Sequence, residues 1–280
     1  HECVWRPFEW DEFVRKALMT FKVTPEISEL AGFFAADGSM QKAHISFWGD
    51  IDLDKHFYDN RLKSLFLNSF KFNINPHEKP SNSVYGFYIC NREIIRFFNE
   101  ALGFPFGKKT YSLKVPDIIY SSEDEEILCA FLRGFFAWDG CLNFDKRYAQ
   151  DQQILKIIHT YPRIQIKTVS RVIAYQISNL LNKLHISNFV SKKLSRKDNE
   201  ADSYMIQVSG KKRLEKWHKK ICFANTSHLL KYKIFKKYGF VPPSTSFTER
   251  VRLYEGKMDI WSFYPVRACS LAWIGRQKNG

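Results

Sequence analysis

Two aspartates stand in matched frames: Asp37 within Gly-Phe-Phe-Ala-Ala-Asp-Gly (residues 32–38) and Asp139 within Gly-Phe-Phe-Ala-Trp-Asp-Gly (residues 134–140). Six of the seven positions are identical, and the copies lie 102 residues apart. A carboxylate at a helix end suits a hard cation such as Mg²⁺, which prefers oxygen ligands and keeps several waters. A single Asp-Gly is ordinarily a turn dipeptide. Two of them, each ending an apolar segment in a chain of net charge +14, argue for a two-carboxylate enzyme acting on a polyanion.

The elements that must hold these aspartates can be read on either side of them. Thr24 is a fit N-cap, Pro25 suits the first helical position, and Ile27, Leu30, Ala31, Phe33 and Phe34 follow with helical spacing. The second segment opens Ser122-Glu123-Asp124-Glu125, a capping-box spacing with acid at the positive helix end. Gly38 and Gly140 stand where a helix C-terminus favours a residue of positive φ. Gly32 and Gly134 fall inside the helices, each at a cost of about 1 kcal/mol relative to alanine. Close backbone approach compensates for that cost. The two helices are therefore expected side by side, touching at Gly32 and Gly134, with Asp37 and Asp139 brought together.

After each helix the same order of elements returns. In the first half, strands are expected at 43–47 and 83–89, with helices at 53–70 and 92–101. In the second, strands are expected at 163–167, 189–193 and 204–208, with helices at 169–184 and 211–221. This is a duplicated α+β unit.

The bulk numbers agree. At 280 residues, 45% hydrophobic and 16% aromatic, the chain can bury a sizeable core. No apolar run approaches the ~18–20 residues that cross a bilayer, and no charged-then-apolar leader opens the chain. The expectation is an intracellular protein, in the cytoplasm or with the host genome or organelle, without a membrane partner. The six cysteines (Cys3, Cys90, Cys129, Cys141, Cys222, Cys269) are scattered, with no pairing that suggests zinc or redox work. Between Lys192 and Lys237 there are 14 Lys or Arg against 4 Asp or Glu, a density that favours a phosphate backbone.

Leu30-Ala31-Gly32-Phe33-Phe34-Ala35-Ala36-Asp37-Gly38 resembles the LAGLIDADG motif of homing endonucleases, and Leu132 through Gly140 resembles its second copy, as in single-chain members. The resemblance covers roughly residues 22–240. It implies a duplicated αββαββα fold with pseudo-twofold symmetry, two curved antiparallel sheets flanking two central motif helices. Residues 22–118 and 119–240 would be the repeats, between an N-terminal arm (1–21) and an aromatic C-terminal extension (241–280, with Trp261, Phe263, Tyr264 and Trp273). It further implies a monomer whose sheets sit in the major groove of double-stranded DNA. Asp37 and Asp139 would approach the scissile phosphates, and both strands would be cut with Mg²⁺ or Mn²⁺ as cofactor. The backbone carbonyls of Ala36 and Trp138 would complete the metal shell. Lys167, beside Gln165 where strand meets helix, would steady the nucleophile or the phosphate charge. The matching place in the first half is near Trp48, which implies unequal sites. Lys109, next to Lys108, is a further catalytic candidate, with Lys231 and Lys233 in the comparable place of the second half.

Groove contacts are expected from His44, Ser46, Trp48, Tyr85, Tyr88, Asn91, Gln165, Lys192, Lys193, Tyr204 and Gln207. Trp138 departs from the motif, in a slot usually small. It must either turn into the core of its own half or spread the helix interface, and a spread interface would make the enzyme a nickase. The competing readings are an RNA maturase or a DNA-binding protein on the same fold without cleavage; retention of both aspartates favours the nuclease. An opening His1-Glu2 and a closing Lys278-Asn279-Gly280 carry neither a first-residue nucleophile nor a terminal His-Asn pair. An intron-encoded or free-standing form is therefore expected over a self-splicing one.

Overall fold

A computed structural model of the chain describes residues 22–79, 83–151, 154–195 and 201–264. The arm of residues 1–21 and residues 265–280 of the expected extension, with Trp273, lie outside the described residues. The first half runs α1 (Pro25–Asp37), β1 (Ser39–Met40), β2 (Ile45–Asp50), α2 (residues 51–70), β3 (His77–Lys79), β4 (Val84–Ile89) and α3 (residues 92–101). One turn, α4 (Asp117–Tyr120), leads to the second half: α5 (Glu125–Asp139), β5 (Gly140–Asp151), β6 (Ile154–Thr168), α6 (Arg171–Lys183), β7 (Phe189–Lys193), β8 (Ser203–Ser209) and α7 (Lys211–Lys220). Two further helices, α8 (Thr226–Tyr238) and α9 (Phe247–Glu255), and a 3₁₀ turn at Ile260–Phe263 follow. Each half is αββαββα. Each makes an antiparallel four-stranded sheet of the same connectivity, β1-β2-β4-β3 and β5-β6-β8-β7. The architecture is α+β and duplicated. Among the described residues no helix is long and apolar enough to cross a membrane.

Local chemistry explains the helix starts and corrects two expectations about their ends. Thr24 caps α1, its hydroxyl accepting from Ile27 N at 3.4 Å, with Pro25 next. Helix α5 is capped by Asp124, not Ser122: Asp124 Oδ1 accepts from Glu126 N at 2.8 Å, and Ser122 Oγ accepts from Asp124 N at 3.2 Å. The carboxylate nearer the unpaired N–H groups is the stronger acceptor. Gly38 (φ −65°) and Gly140 (φ −94°) are extended, so positive φ is not why glycine stands there. A Cβ at Gly38 would lie 2.8 Å from Phe34 Cα, and one at Gly140 would run into the Phe136 ring. The constraint is room for the phenylalanine beneath the turn.

The strand expected at 163–167 is the end of a much longer hairpin. Strands β5 and β6 pair from Gly140↔Ile166 to Asp151↔Ile154, with a register shift at Asp145/Lys146.

Helices α1 and α5 cross through their glycines. A Cβ on Gly32 would collide with Phe131 O and lie 2.7 Å from Phe135 N and 3.1 Å from Gly134 Cα; one on Gly134 would collide with Glu29 O. Ser28 Oγ donates to Ile127 O across the same seam at 2.7 Å. Beside the crossing, fully buried Glu29 accepts from Arg61 Nε (2.8 Å) and, across the interface, from Arg133 Nε (2.8 Å). A buried carboxylate with two guanidinium partners is strongly specified, because losing either partner strands charge in the interior.

Gly134→Ala separates two opposing effects. Helix propensity alone would stabilise α5 by about 1 kcal/mol. Overpacking against the Glu29 backbone instead should lower stability by about 2 kcal/mol, read from urea denaturation midpoints. A net gain would mean that the helices are not in backbone contact.

Candidate functional site

Asp37 and Asp139 are the last residues of α1 and α5. A helix C-terminus is the negative end of the macrodipole, and neither helix has a basic residue in its last turn. Because the helices cross at their glycines, the two negative ends meet. Burial lifts the Asp37 carboxyl from its ordinary 3.8 to about 6, although one edge stays exposed; Lys109 opposes the rise. Burial lifts Asp139 to about 7, the charge of Asp37 adds to that, and Lys109 again opposes. Lys109 is pulled down to about 8 by its own burial, against the pull of both carboxylates. Its Nζ donates to Phe34 O and lies 4.5 Å from the centroid of the Phe34 ring. One lysine thus serves both aspartates.

Ala36 and Trp138 precede the aspartates, so their carbonyls lie past the last helical N–H donor, among the orphan acceptors of a helix end. Among the described residues no group of three or more His, Cys, Asp or Glu forms a metal cage. The donor set suits Mg²⁺ or Mn²⁺ all the same. Mg²⁺ is usually held by one or two carboxylates together with waters and substrate phosphates, not by an all-protein cage.

Trp138 takes neither of the courses expected of it. Its ring enters the core of the opposite half, 5.7 Å from Phe57 and 5.4 Å from Tyr58 between centroids. Gly49 makes the notch: a Cβ there would lie 2.5 Å from the ring. The interface is not spread, since Gly32 and Gly134 remain in contact, so that reason to expect nicking falls away.

Beneath the notch lies a group that the sequence reading missed. Buried Asp54 accepts from Asp50 N at 3.0 Å and from Asn225 Nδ2 at 3.1 Å; Asn225 Nδ2 also donates to Ala137 O at 3.2 Å. Burial raises Asp54 to about 6, with Asp37 contributing. Asn225 thereby ties α2 of one half to the end of α5. Two buried donors here, Tyr58 OH and Trp138 Nε1, have no protein partner among the described residues. An Asn 86 residues from Asp139 carries no signal of such a role in sequence.

Register decides which strand residues can face a groove. In the first sheet Ile45, Phe47 and Gly49 pair with Ile89, Phe87 and Tyr85 on the helix-packed side. Ser46 and Trp48, opposite Tyr88 and Gly86, lie on the free side. Tyr88 is 58% exposed there, and Lys79 Nζ sits 3.5 Å over the Trp48 ring. Ser46 is on this side but buried, its hydroxyl 2.9 Å from Ser39 Oγ. His44 is half-buried just ahead of β2. Tyr85 is corrected: it points into the core and its OH donates to Asp59 Oδ1 at 2.8 Å, because it alternates with Tyr88 along β4. Asn91 caps α3, accepting from Glu93 N at 2.9 Å and Ile94 N at 3.1 Å.

In the second sheet Gln165, Lys167, Gln207 and Lys193 are on the free side, where Gln165 Nε2 donates to Gln207 Oε1 at 3.3 Å and Asn143 Nδ2 to Gln165 Oε1 at 3.2 Å. Because Gly140 pairs with Ile166, Lys167 is exposed one step beyond that pair, level with Asp139, as Trp48 is level with Asp37. Tyr204 and Lys192 are corrected: they share the helix-packed side with Ile206 and Val208. There Tyr204 meets the Tyr175 ring (6.3 Å) and Lys192 pairs with Asp202 (2.7 Å). Phe189, 66% exposed and opposite Gln207, is a free-side residue that sequence reasoning missed. Lys231 and Lys233 do not join the aspartates: Lys231 Nζ donates to Leu142 O (2.9 Å) and Lys233 lies over Tyr254.

Residues 126–222 match the family model of the LAGLIDADG-like domain. A probable translation initiation factor IF-2 of Methanocaldococcus jannaschii is 24% identical over 175 residues, 62% of this chain; the chain spans 13% of the length of that curated relative. Among solved structures, the meganuclease I-SmaMI bound to uncleaveable DNA is 13% identical with a TM-score of 0.49, covering 87% of this chain and 97% of that one. Mesophilic variants of the homing endonuclease I-DmoI give 13% and 0.47, covering 70% and 95%. The fold rests on this chain's own sheet order.

The raised carboxyls carry a stability cost of known sign. In the folded chain Asp139 holds its proton up to about pH 7, against 3.8 ordinarily, so stability falls as pH rises through that window. In EDTA, Asp139→Asn should therefore melt above the wild type at pH 8, with the difference closing towards pH 4. Thermal unfolding at the two pH values checks this, and an unchanged difference would contradict it.

Proposed function

We propose that this chain, whose residues 126–222 match the LAGLIDADG-like domain, is a site-specific endonuclease that hydrolyses both strands of a long DNA duplex. The observation that carries the reading is the meeting of Asp37 and Asp139, from two matched helices, around the single amine of Lys109. The two repeats, residues 22–118 and 119–240, each supply one aspartate and one free sheet face.

The division of labour follows from position. Asp37 and Asp139, with the carbonyls of Ala36 and Trp138, would hold Mg²⁺ or Mn²⁺. When bound, such an ion activates water and neutralises charge on a phosphodiester. Lys109, poised near pH 8 between the carboxylates, keeps a positive charge where phosphoryl charge develops and can hold or release a proton at Nζ. Lys167 offers a second cation level with Asp139. In the first half that place belongs to Trp48, with Lys79 over its ring, so the two strands meet unequal surroundings. On the free faces Tyr88, Gln165, Gln207, Lys193 and Phe189 are placed for duplex contacts. Polar side chains there would read base edges, and lysines would fix the register on the backbone. A net charge of +14 supplies the non-specific attraction that precedes both.

The test is a cleavage selection on a library of long duplexes with Mg²⁺, wild type beside the Asp37→Asn/Asp139→Asn double variant. Discrete cuts on both strands from wild type alone, abolished by EDTA, with duplex binding kept by the double variant, are the expected result. Salt-sensitive binding by both proteins without any cut would replace the nuclease with a binding protein.

A further inference from the structure

Along β5 from Asp139, the segment after the duplication closes a second polar site. Residues 241–245 and helix α9 pack against β5 and α8, leaving a cavity of about 320 Å³. Lys231 and Arg250 line it, with Asn143, Gln165, Ser244 and Thr245. The two cations spend their hydrogen bonds on neutral acceptors. Lys231 Nζ donates to Leu142 O at 2.9 Å; Arg250 donates from Nε to Thr245 Oγ1 at 3.1 Å, from Nη2 to Thr245 O at 2.5 Å, and to Ser227 Oγ. An ammonium has three donors and a guanidinium five, so each keeps donors in hand.

Charge is what these cations lack. Among the described residues neither has a carboxylate partner. Asp145 lines the cavity too but is paired with Arg163, and Glu249, whose charge favours charged Arg250, is bonded to the N–H and hydroxyl of Ser246. Burial pushes both Lys231 and Arg250 below their ordinary values, and Arg250 pushes Lys231 further. His228, on the same helix as Lys231, is driven down to about 3, first by burial and then by these two cations. Two half-buried cations facing each other without a direct ion pair are costly, and a further anion would offset that cost. The position narrows which anion. Asn143 and Gln165 are free-side residues of the second sheet, so the cavity, which wraps the edge strand β5, reaches the face proposed above for the duplex.

We infer that this cavity is a phosphate-binding site, formed by the C-terminal extension on the second repeat, which takes a backbone phosphodiester of the bound duplex. The assignment rests on the nuclease reading for its occupant, and on Lys231, Arg250 and the cavity for its chemistry. Ser244, Thr245 and the Asn143 amide add neutral donors around the phosphoryl oxygens, as charge-assisted sites do. The contact carries no base information; it fixes the duplex on the second sheet.

Two measurements test it. Inorganic phosphate, titrated at constant ionic strength against chloride, should raise the melting temperature of the wild type. The rise should be lost in Arg250→Gln and regained in part in Arg250→Lys. Duplex binding followed against salt in EDTA should show the slope of log K on log salt falling by about one in Arg250→Gln, with sequence preference kept. Thermal response with an unchanged slope would assign the cavity to free phosphate and overturn the backbone contact. The absence of both responses would overturn the site itself. A wild type that binds no duplex yet responds to phosphate would sink the nuclease reading while leaving the cavity's chemistry standing.

Discussion

The backbone contact between α1 and α5 at Gly32 and Gly134 governs what lies around it. With no side chain at either crossing point, the helices approach until a Cβ on one would sit 3.1 Å from the Cα of the other. Nothing larger than glycine permits that, and the helices bear a propensity cost of about 1 kcal/mol each for it. In return, two negative helix ends and their terminal carboxylates share one poorly solvated place. Burial raises both carboxyls and depresses Lys109; proximity adds the charge of Asp37 to the rise at Asp139, while both carboxylates oppose the fall at Lys109. A site that resists ionisation in the absence of a cation is one that a hard cation would relieve.

Around this symmetric contact the halves are deliberately unlike. Glu29 of α1 occupies the place that Phe131 holds in α5, and Arg133 the place of Ala31, so the ionic lock exists once. Trp138 stands where α1 has Ala36, and its ring fills a notch that Gly49 opens in the first half. Asn225 adds a third tie, from the second half to Asp54. These contacts specify that α1 pairs with α5 in one register. Each also makes the surroundings of Asp37 and Asp139 unequal.

Much of this was legible in the sequence. Thr24-Pro25, the repeated Gly…Asp-Gly frames and the mid-helix glycines each have a local physical meaning. Periodicity gave the main helices and strands; the full αββαββα order came from the family resemblance, and the short strands β1 and β3 and the long β5 carried no periodic signal. What was not legible depends on partners distant in the chain. Tyr85, Tyr204 and Lys192 carry groove-like chemistry, but in an alternating strand one step of register decides between helix and solvent, and only pairing with the next strand sets it. Tyr88 and Gln207 fell on the free side by the same rule. The direction of Trp138 depended on Gly49, 89 residues away, and the capture of Asp54 by Asn225 spans 171. The Gly38 and Gly140 turns looked like positive-φ caps because glycine serves both purposes; only the phenylalanine beneath tells them apart.

The most direct measurement is a carboxyl-resolved NMR titration of Asp139 in EDTA, in wild type and in Asp37→Asn. If the two helix ends share one buried centre, Asp139 titrates near 7 in wild type, and its midpoint falls once the charge of Asp37 is removed. A midpoint near the ordinary 3.8, unchanged by Asp37→Asn, would mean that the carboxylates are solvated and apart, and the two-carboxylate centre would not exist.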